Sequence, residues 1–444
     1  MDRDRDRKWS CCIFLFLCAV NVYCDLGKLQ RVYSWNQVNF RADTPNTLGS
    51  NDFVFPNKNQ VLREDGTNFI RYNNVPMGVD RWRDKLFVTF PRRRHGIPAT
   101  LAYLSLSQDG DRNRGIFDPP LRPYPDYATN AYNNSNSNKL VSVYRTRIDS
   151  CDRMWMVDTG LLEIPGESTQ VQPPAIVIID LKTDRIIHRF ELPESVNPPN
   201  APIASITVDL INNRCDEAFA YMPDLTTFAV VVYSLKQNRA WRVRHNSFYL
   251  DPLAGDYEIA GLKFQWNDGV FSLVLTPPQS DGYRYLIYHA MSSTKEFAVS
   301  TKVLMNETLA TRSYHDNDFM LLGERGPRTQ TAMHAMDPVS GILFYAQVGR
   351  NAVACWNTQK PFTMENHALL AQDDASLIYP SDIKVDNDNN LWVIANSMPI
   401  FIYSELDTSI LNFHIYTANV NDLVRGTQCQ NPDTSSSGSY SYRG

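Results

Sequence analysis

The sequence lacks the motifs of several common enzyme chemistries. Its eight histidines form no HExxH, no HxH and no Cys/His spacing typical of zinc. It contains no Gly-x-Ser-x-Gly elbow and no glycine-rich phosphate loop, which leaves hydrolase and nucleotide-binding functions without a motif. Helical periodicity is scarce as well, which argues against an α-helical fold. We therefore predict neither a metal nor a cofactor.

Long runs of one charge are also missing. The chain carries 43 Lys and Arg residues against 48 Asp and Glu residues, for a formal net charge of −5. The densest basic run is Arg92 to His95, and such a run most often forms a solvated loop face. Neither nucleic acid nor an anionic membrane surface is therefore a predicted partner.

The apolar run at the N terminus is too short to span a membrane. It covers Trp9 to Val20, about 12 residues, whereas a membrane-spanning helix needs about 20. Because it follows a short charged segment, we predict a signal peptide over residues 1–24. The protein is then secreted and extracellular, without membrane attachment after cleavage. An uncleaved signal anchor is the alternative.

Cysteine parity agrees with this compartment. Cleavage after Cys24 leaves four cysteines: Cys151, Cys215, Cys355 and Cys429. An even number in an oxidising compartment predicts two disulfides, with three possible connectivities. The sequons at Asn133 and Asn306 predict N-glycosylation in the same setting.

The part of the chain between the ends shows no domain boundary. No linker rich in Pro, Gly or Ser divides residues 25–430, which predicts one large domain. The Ser-rich polar tail, residues 431–444, has little to bury and is predicted to be disordered.

A repeat runs through that domain. Each copy has an apolar strand, a turn of Asp, Asn, Gly or Arg, and a second strand with an aromatic residue near its start. The six copies carry these aromatic markers: Phe87, Trp155, Phe219, Phe271, Phe344 and Trp392. We predict an all-β, six-bladed β-propeller, because stacking blades around an axis buries sheet faces that an isolated blade exposes. A sandwich and a multi-domain all-β chain are the alternatives.

Two further predictions follow from the repeat. The segment Arg31 to Arg41 alternates with period two and precedes the first copy, so we expect it to pair with the last blade and close the ring. Cys151 and Cys215 occupy comparable turns of consecutive repeats, which favours the disulfide Cys151–Cys215. The second disulfide is then Cys355–Cys429, which ties the chain end to blade 5.

Several long segments resemble one insect family. They include HGIPATLAYLSL from His95, CDRMWMVDTG from Cys151, PPAIVIIDL from Pro173 and SDIKVDNDNNLWVIANSMP from Ser381. Together they resemble the Yellow and major royal jelly proteins, from about Val32 to Cys429. The resemblance implies a six-bladed propeller. It also implies a role among the family's activities, which include cuticle pigmentation, dopachrome conversion, amine binding and nutrition.

The fourth copy departs from the family pattern. The stretch EIAGLKFQWNDGVFSLVL, from Glu258, is less regular than the pattern requires. Contacts from that blade to a ligand are therefore in doubt.

Propeller topology predicts a ligand site at one mouth of the axial channel, where inner strands start and second strands end. Carboxylates there can pair with a protonated amine, and hydroxyls or amides can hold catechol oxygens. The amine-binding relatives use the blade 5 region, which makes Thr331 the first candidate. The candidate ligand-binding residues are Thr331, Asp158, Asp224, Glu258, Thr329, Gln347, Ser381, Asp382 and Asn396. The alternative is that these residues satisfy turn backbones.

A calcium ion on the axis would need oxygen ligands. Glu258, Asp382 and Asn396 have the right chemistry for it, but we predict no metal. His334 is expected to lie in the core rather than to act as a catalyst.

Three functions fit these features. The first is a factor of the melanin pathway that binds a catecholamine-derived or biogenic-amine ligand and governs where pigment forms. The second is an enzyme, a dopachrome tautomerase or decarboxylating converter, in which a carboxylate such as Asp158 or Glu258 relays a proton. The third is a non-catalytic carrier or storage protein. All three predict a small catecholamine or indole as the partner, and no motif decides whether the protein is an enzyme.

Overall fold

The computed structural model describes residues 24–42, 61–109, 116–131, 138–164, 167–199 and 201–431. The predicted signal peptide up to residue 23, the sequon at Asn133 and the predicted tail from residue 432 lie outside these ranges, so those predictions stay predictions. Within the described part of the chain, no helix has the length and apolar character needed to cross a bilayer.

The first half of the described chain forms two N-terminal strands and three blades. The N-terminal strands are β1 (Cys24–Asp25) and β2 (Gln30–Trp35). Blade 1 comprises β3 (Gly78–Trp82), β4 (Lys85–Thr89), β5 (Leu101–Ser105) and β7 (Arg122–Pro123), and β6 (Ile116–Phe117) lies between the last two in sequence. Blade 2 comprises β8 (Val143–Ile148), β9 (Arg153–Asp158), β12 (Ala175–Asp180) and β13 (Arg185–Glu191), with the inserted hairpin β10 (Leu161–Ile164) and β11 (Glu167–Gln170). Blade 3 comprises β14 (Thr207–Leu210), β15 (Ala218–Asp224), β16 (Ala229–Ser234) and β17 (Arg239–Val243).

The second half forms a separate hairpin and three more blades. The hairpin consists of β18 (Asp256–Ile259) and β19 (Leu262–Gln265). Blade 4 comprises β20 (Val270–Leu275), β21 (Tyr285–Ala290), β22 (Lys295–Ser300) and β23 (Phe319–Glu324). Blade 5 comprises β24 (Thr331–Asp337), β25 (Ile342–Gln347), β26 (Ala352–Asn357) and β27 (His367–Asp373). Blade 6 contains β28 (Pro380–Val385), β29 (Asn390–Ala395) and β30 (Phe413–Asn419).

Helices are short, and all but α5, which follows the last described strand, lie between strands. The α-helices are α1 (Tyr127–Asn130), α2 (Thr301–Leu304), α3 (Glu307–Ala310), α4 (Met398–Tyr403) and α5 (Val420–Val424). The 3₁₀ turns are Arg71–Asn73, Ile211–Asn213, Asn246–Phe248, Val348–Arg350 and Met364–Asn366. Asn306, the second predicted glycosylation site, is exposed and caps the start of α3 by accepting a hydrogen bond from the Leu309 amide. The predicted all-β, six-bladed propeller is confirmed.

Burial explains the radial order of the strands. The inner strand β24 is buried at all seven positions, whereas the outer strand β13 is exposed or half-buried at all seven. Apolar side chains of neighbouring blades pack into shared clusters, such as the one that joins blades 2 and 3 through Trp155 and Tyr233. Each blade thus depends on its neighbours for the burial of its sheet faces.

The N-terminal strands close the ring as predicted. Strand β2 pairs antiparallel with β30 and becomes the fourth strand of blade 6, and β6 pairs parallel with β2 at its outer edge. Strand β1 adds a fifth strand to blade 5 by pairing with β27. Strands β1 and β2, the first that the structure describes, are thereby held in adjacent blades, which covers edges that would otherwise be open.

Both predicted disulfides are present. Cys151–Cys215 joins blades 2 and 3 with a Cα–Cα distance of 6.0 Å, and Cys355–Cys429 ties the end of the chain to blade 5 at 6.1 Å. Their sequence separations are 64 and 74 residues. Closing loops of this length stabilises the fold by about 4 kcal/mol per bond in the chain-entropy model.

The predicted fourth repeat is shifted by one strand. Phe271 lies on the inner strand β20, whereas the other five aromatic markers lie on second strands. The stretch before it, β19, belongs to the separate hairpin, in which Tyr257 and Phe264 stack with ring centroids 5.5 Å apart. Strands β19 and β20 flank the WNDG turn and resemble one repeat in sequence, but in the structure β19 belongs to the hairpin and β20 to blade 4. The second strand of blade 4 is β21.

Candidate functional site

A cavity of about 770 Å³ opens at the mouth where inner strands start and second strands end. Met77 and Tyr379, which precede β3 and β28, line it together with groups from loops and inserted elements. Its charged residues are Arg93, Arg94, Arg145, Glu163 and Asp268. Its aromatic residues include Trp266, Phe271, Tyr379, Phe401 and Tyr403.

Arg145 forms the floor of this cavity. It projects from β8, is buried, and donates hydrogen bonds to the carbonyl oxygens of Ser381 (2.7 Å and 3.2 Å) and Ala204 (3.1 Å). Its guanidinium carbon lies 5.2 Å from the ring centroid of Phe271. Burial lowers the pKa of Arg145, against the opposing effect of Asp382. Blades 2, 3 and 6 are tied together at this point.

Glu163 and Arg93 form a charged pair on one side. The Glu163 amide donates to the carbonyl of Arg92 (2.9 Å), which docks β10 against the loop after β4. Arg93 Nε lies 3.6 Å from Glu163 Oε2, and the Tyr144 hydroxyl donates to Glu163 Oε1. Burial disfavours the charged form of Arg93, but the combined electrostatic effect of Tyr144, Glu163, Tyr379 and Asp268 outweighs it and raises the pKa of Arg93.

The hairpin β10–β11 reaches the cavity because of a glycine. Gly160 follows β9 with φ of 63°, and a Cβ there would lie 2.0 Å from the carbonyl oxygen of Gln172. A side chain at this position would both strain the backbone and collide with backbone atoms. The turn that brings Glu163 to the mouth therefore requires glycine.

Asp268 is the acid best placed for chemistry in this cavity. It is half-buried in the turn that links the hairpin β18–β19 to β20. Burial raises the pKa of Asp268 to about 6, although the charge of Arg93 lowers it. A carboxyl group with a pKa near neutrality is ionised in part of the molecules and protonated in the rest, which suits it to move protons.

Aromatic side chains line part of the cavity wall. Trp266 donates from Nε1 to the Tyr403 hydroxyl (2.5 Å), and its ring meets Tyr379 edge to face at 5.7 Å. Phe264 stacks on Tyr403 at 4.7 Å, so the hairpin β18–β19 is fastened to α4. Rings held in this way offer flat apolar surfaces to a planar ligand.

The predicted acids Asp158 and Asp224 lie at this end of the propeller but face the protein interior. Both are fully buried. Asp158 accepts from the amides of Val141 (3.0 Å), Ser142 (2.8 Å) and Gly160 (3.1 Å). Asp224 accepts from the amides at 226 (3.1 Å) and 227 (2.9 Å) and pairs with Arg242 (2.5 Å). The structure gives both the turn-forming contacts of the alternative interpretation.

The predicted polar residues of blade 5 are buried beside the cavity rather than in its wall. Thr331 donates from Oγ1 to the Thr329 carbonyl (2.9 Å), and Thr329 donates to that of Gly326 (2.6 Å). Gln347 accepts from Arg350 Nε at 2.6 Å. None of the three predicted residues is among those that line the cavity.

The predicted residues of blade 6 hold its start against blade 1. Ser381 donates to the Met77 carbonyl (2.8 Å), and Asn396 donates to that of Pro76 (2.8 Å). Asp382 accepts from the amide of Val79 (3.0 Å) and from Lys384 Nζ (2.7 Å).

Glu258 is placed differently from the prediction. It does not start an inner strand but lies exposed on β18 of the separate hairpin. The prediction was wrong because it assigned this hairpin to the fourth repeat. The three oxygen donors considered for calcium therefore belong to different surroundings, and Asp382 already carries Lys384 as its cation.

Most residues of the cavity were missed by the sequence interpretation. The basic run was expected to be a solvated loop face, but Arg92 is buried and donates to the carbonyls of Ile97 (3.1 Å) and Leu140 (3.0 Å). This burial turns Arg93 and Arg94 towards the mouth. The basic run was therefore the feature of the sequence that could have indicated the cavity, but it was interpreted as a solvated loop.

Comparison with known proteins identifies the family. The family model described as major royal jelly protein matches residues 141–429. The chain belongs to the Yellow and major royal jelly protein family. L-dopachrome tautomerase yellow-f of Drosophila melanogaster is 44% identical over 428 residues, which cover 94% of this chain and 99% of that protein. Protein yellow of Drosophila subobscura is 40% identical over 407 residues, which cover 90% of this Yellow-family chain and 67% of that protein.

Proposed function

We propose that this Yellow-family protein acts in pigment chemistry by binding L-dopachrome, or a closely related indole quinone, in the mouth cavity and isomerising it there. The observation that carries the proposal is Asp268, a carboxyl group with a pKa of about 6 in a cavity with arginines and aromatic walls. The name of the Drosophila melanogaster relative supports the same chemistry. The two disulfides support an extracellular location, which is part of the proposal.

The cavity groups match the parts of such a substrate. L-dopachrome carries a carboxylate, which Arg93 or Arg94 can bind through charge-assisted hydrogen bonds. Its fused rings are planar, and Trp266 and Tyr403 present ring faces and edges to such a ligand. With three arginines and two acids, the cavity favours an anion over the cation of a biogenic amine.

The reaction is an isomerisation that needs no oxidant. Two protons leave adjacent carbons of the five-membered ring, and two protons are gained by the quinone oxygens. The electrons left behind form the new ring double bond and reduce the quinone to a catechol. We assign Asp268 to the first transfer, in which its carboxylate takes a ring C–H proton and later releases it.

The test compares Asp268→Asn with Glu258→Gln, a control on the exposed face of the same inserted segment. Loss of a general base lowers turnover by about 10²- to 10⁴-fold, and the control should leave it unchanged. The measurement is the decay of dopachrome absorbance, with chromatography of the product to show whether the carboxylate is retained.

Two results would overturn the proposal. Wild-type turnover in Asp268→Asn would remove Asp268 from the mechanism. Absence of turnover in the wild-type protein, together with calorimetric binding of dopamine, would establish the carrier function instead.

A further inference from the structure

A second group of chemically capable side chains lies away from the mouth cavity, at the junction of blades 4 and 5. It consists of His289 on β21, Glu296 on β22 and His334 on β24, and the side chains of all three are wholly buried. One nitrogen or oxygen from each converges with the others, and these atoms lie within 4.8 Å of one another. None of the three lines the cavity.

The hydrogen bonds of His289 determine which ring nitrogen carries the proton. His289 Nε2 lies 3.0 Å from the carbonyl oxygen of Thr331, which can only accept, so Nε2 is the donor. In the neutral ring, Nδ1 then bears a lone pair. That lone pair faces Glu296 Oε1 at 3.2 Å, which is also an acceptor. Two acceptors at this distance require either a proton or a metal ion between them.

His334 brings a second nitrogen to the same oxygen. Its Nδ1 contacts Ser272 Oγ at 2.6 Å, and its Nε2 lies 3.3 Å from Glu296 Oε1. Within the described ranges, this buried Nε2 has no hydrogen-bond partner of acceptable geometry. The two N···O spacings of 3.2 Å and 3.3 Å match the edge of a tetrahedron with bonds of about 2.0 Å, which is about 3.3 Å, and the two nitrogens lie within 4.8 Å of each other.

Outer contacts hold the three groups in place. Arg325 donates to the other carboxylate oxygen, Glu296 Oε2, and to the carbonyl of Ser293 (2.9 Å), which leaves Oε1 directed at the two imidazoles. The Thr331 carbonyl and the Ser272 hydroxyl orient the rings in the way that outer-sphere groups orient metal ligands.

The geometry points to a buried structural site for a divalent metal ion of the zinc type, formed by His289 Nδ1, His334 Nε2 and Glu296 Oε1. Two imidazoles and one carboxylate suit zinc, whereas calcium prefers six or more oxygens. Tyr345 is a neighbour of the cluster: its ring centroid lies 6.0 Å from that of His334, and its buried hydroxyl has no hydrogen-bond partner within the described ranges.

The competing arrangement places a proton on His289, which then forms an ion pair with Glu296. It has the same contacts but retains no metal. Metal content therefore separates the two, independently of any catalytic activity.

The experiment measures zinc by elemental mass spectrometry in the full chain, secreted into zinc-supplemented medium and dialysed. We expect about one zinc per chain in the wild-type protein and at least a tenfold loss in His289→Asn and Glu296→Gln. His414→Asn is the matched control, because His414 is equally buried, contacts Ser34 Oγ at 2.9 Å and lies outside the cluster. It should keep its metal.

A second measurement covers variants that fail to fold. Wild-type protein treated with a strong chelator under mild denaturation should lose zinc and melt at a lower temperature, and added zinc should restore both. Replacement by cobalt should give the visible absorption of a tetrahedral site. Wild-type protein without stoichiometric metal, and with a melting temperature indifferent to zinc and chelator, would overturn the proposal in favour of the protonated pair.

Discussion

Two kinds of aspartate lie at the same end of this propeller. Asp158 and Asp224 are fully buried at strand ends, and each receives backbone amide hydrogens. Asp268 is less buried, sits between an inserted hairpin and a blade, and has its pKa raised to about 6. The carboxylates of Asp158 and Asp224 accept hydrogen bonds from backbone amides and lie near an arginine, so they stabilise turns. The carboxyl group of Asp268 is harder to ionise because it is partly buried, so it can exchange protons near neutral pH.

The largest effect on stability should come from the turn-forming acids. Asp224→Ala leaves Arg242 buried without its charged partner and removes the acceptor of two backbone amides, which should cost about 3 to 5 kcal/mol in the free energy of unfolding. Chemical denaturation measures it, with the exposed Asp281→Ala as control. Turnover per folded molecule should stay at the wild-type level, and a selective loss of turnover would erase the distinction between the two kinds of acid.

A smaller effect should come from the cation beside Asp268. Arg93→Gln should raise KM for L-dopachrome by about ten- to a hundredfold, because a charge-assisted hydrogen bond contributes about 1.5 to 3 kcal/mol. For the aminochrome formed from dopamine, which has no carboxylate, KM should change by less than about threefold. Equal losses for both substrates would show that Arg93 supports the fold of the mouth rather than the carboxylate. Arg83→Gln, at an exposed position of blade 1, is the control.

Ionisation of Asp268 should destabilise the protein, whereas ionisation of an acid paired with a cation stabilises it. The pKa of Asp268 in the folded protein, about 6, lies above its value in the unfolded chain. Ionisation of Asp268 therefore lowers the free energy of unfolding as the pH rises from about 4 to 6, and the full loss is reached above pH 6. Asp268→Asn should therefore stabilise the protein at pH 7 by about 1 to 2 kcal/mol, after allowance for solvent screening. Below about pH 4 the gain should vanish. Denaturation at both pH values checks this, and a destabilised variant at pH 7 would contradict it.

The smallest effect concerns Thr331, the first candidate from the family resemblance. Its hydroxyl donates to Thr329 within the protein, so Thr331→Val should cost about 0.5 to 1.5 kcal/mol of stability and leave ligand affinity unchanged. Calorimetric titration with dopachrome or dopamine checks the affinity. A tenfold weaker affinity in Thr331→Val would return Thr331 to the ligand site.

The fold could be predicted because nearly the same sequence pattern recurs in each blade. Strand, turn and second strand recur with an aromatic marker, and the alternation before Gly78 indicated the closing strand. The prediction misaligned blade 4 because β19 and β20 are both short strands that contain a phenylalanine and flank a turn, and nothing local shows that β19 belongs to a separate hairpin.

The site could be predicted only as a location. Strand ends are visible in the sequence, but Arg93, Glu163 and Asp268 come from a loop, an inserted hairpin and a linking turn, which share no period. The raised pKa of Asp268 arises from burial in the folded protein, and the charge that opposes it belongs to Arg93, which is distant in sequence. The hydrogen bonds of Asp158 and Asp224 could not be predicted either, because their donors are backbone amides that come into position only in the folded turn.

The pH dependence of kcat/KM for L-dopachrome, in wild-type protein and in Asp268→Asn, tests most directly whether Asp268 moves the proton. The account predicts a wild-type profile that rises with pH through an apparent pKa of about 6, as the carboxylate forms. In Asp268→Asn the remaining activity should show no such step. A step at the same pH in the variant, or a wild-type profile that is flat through pH 6, would contradict it.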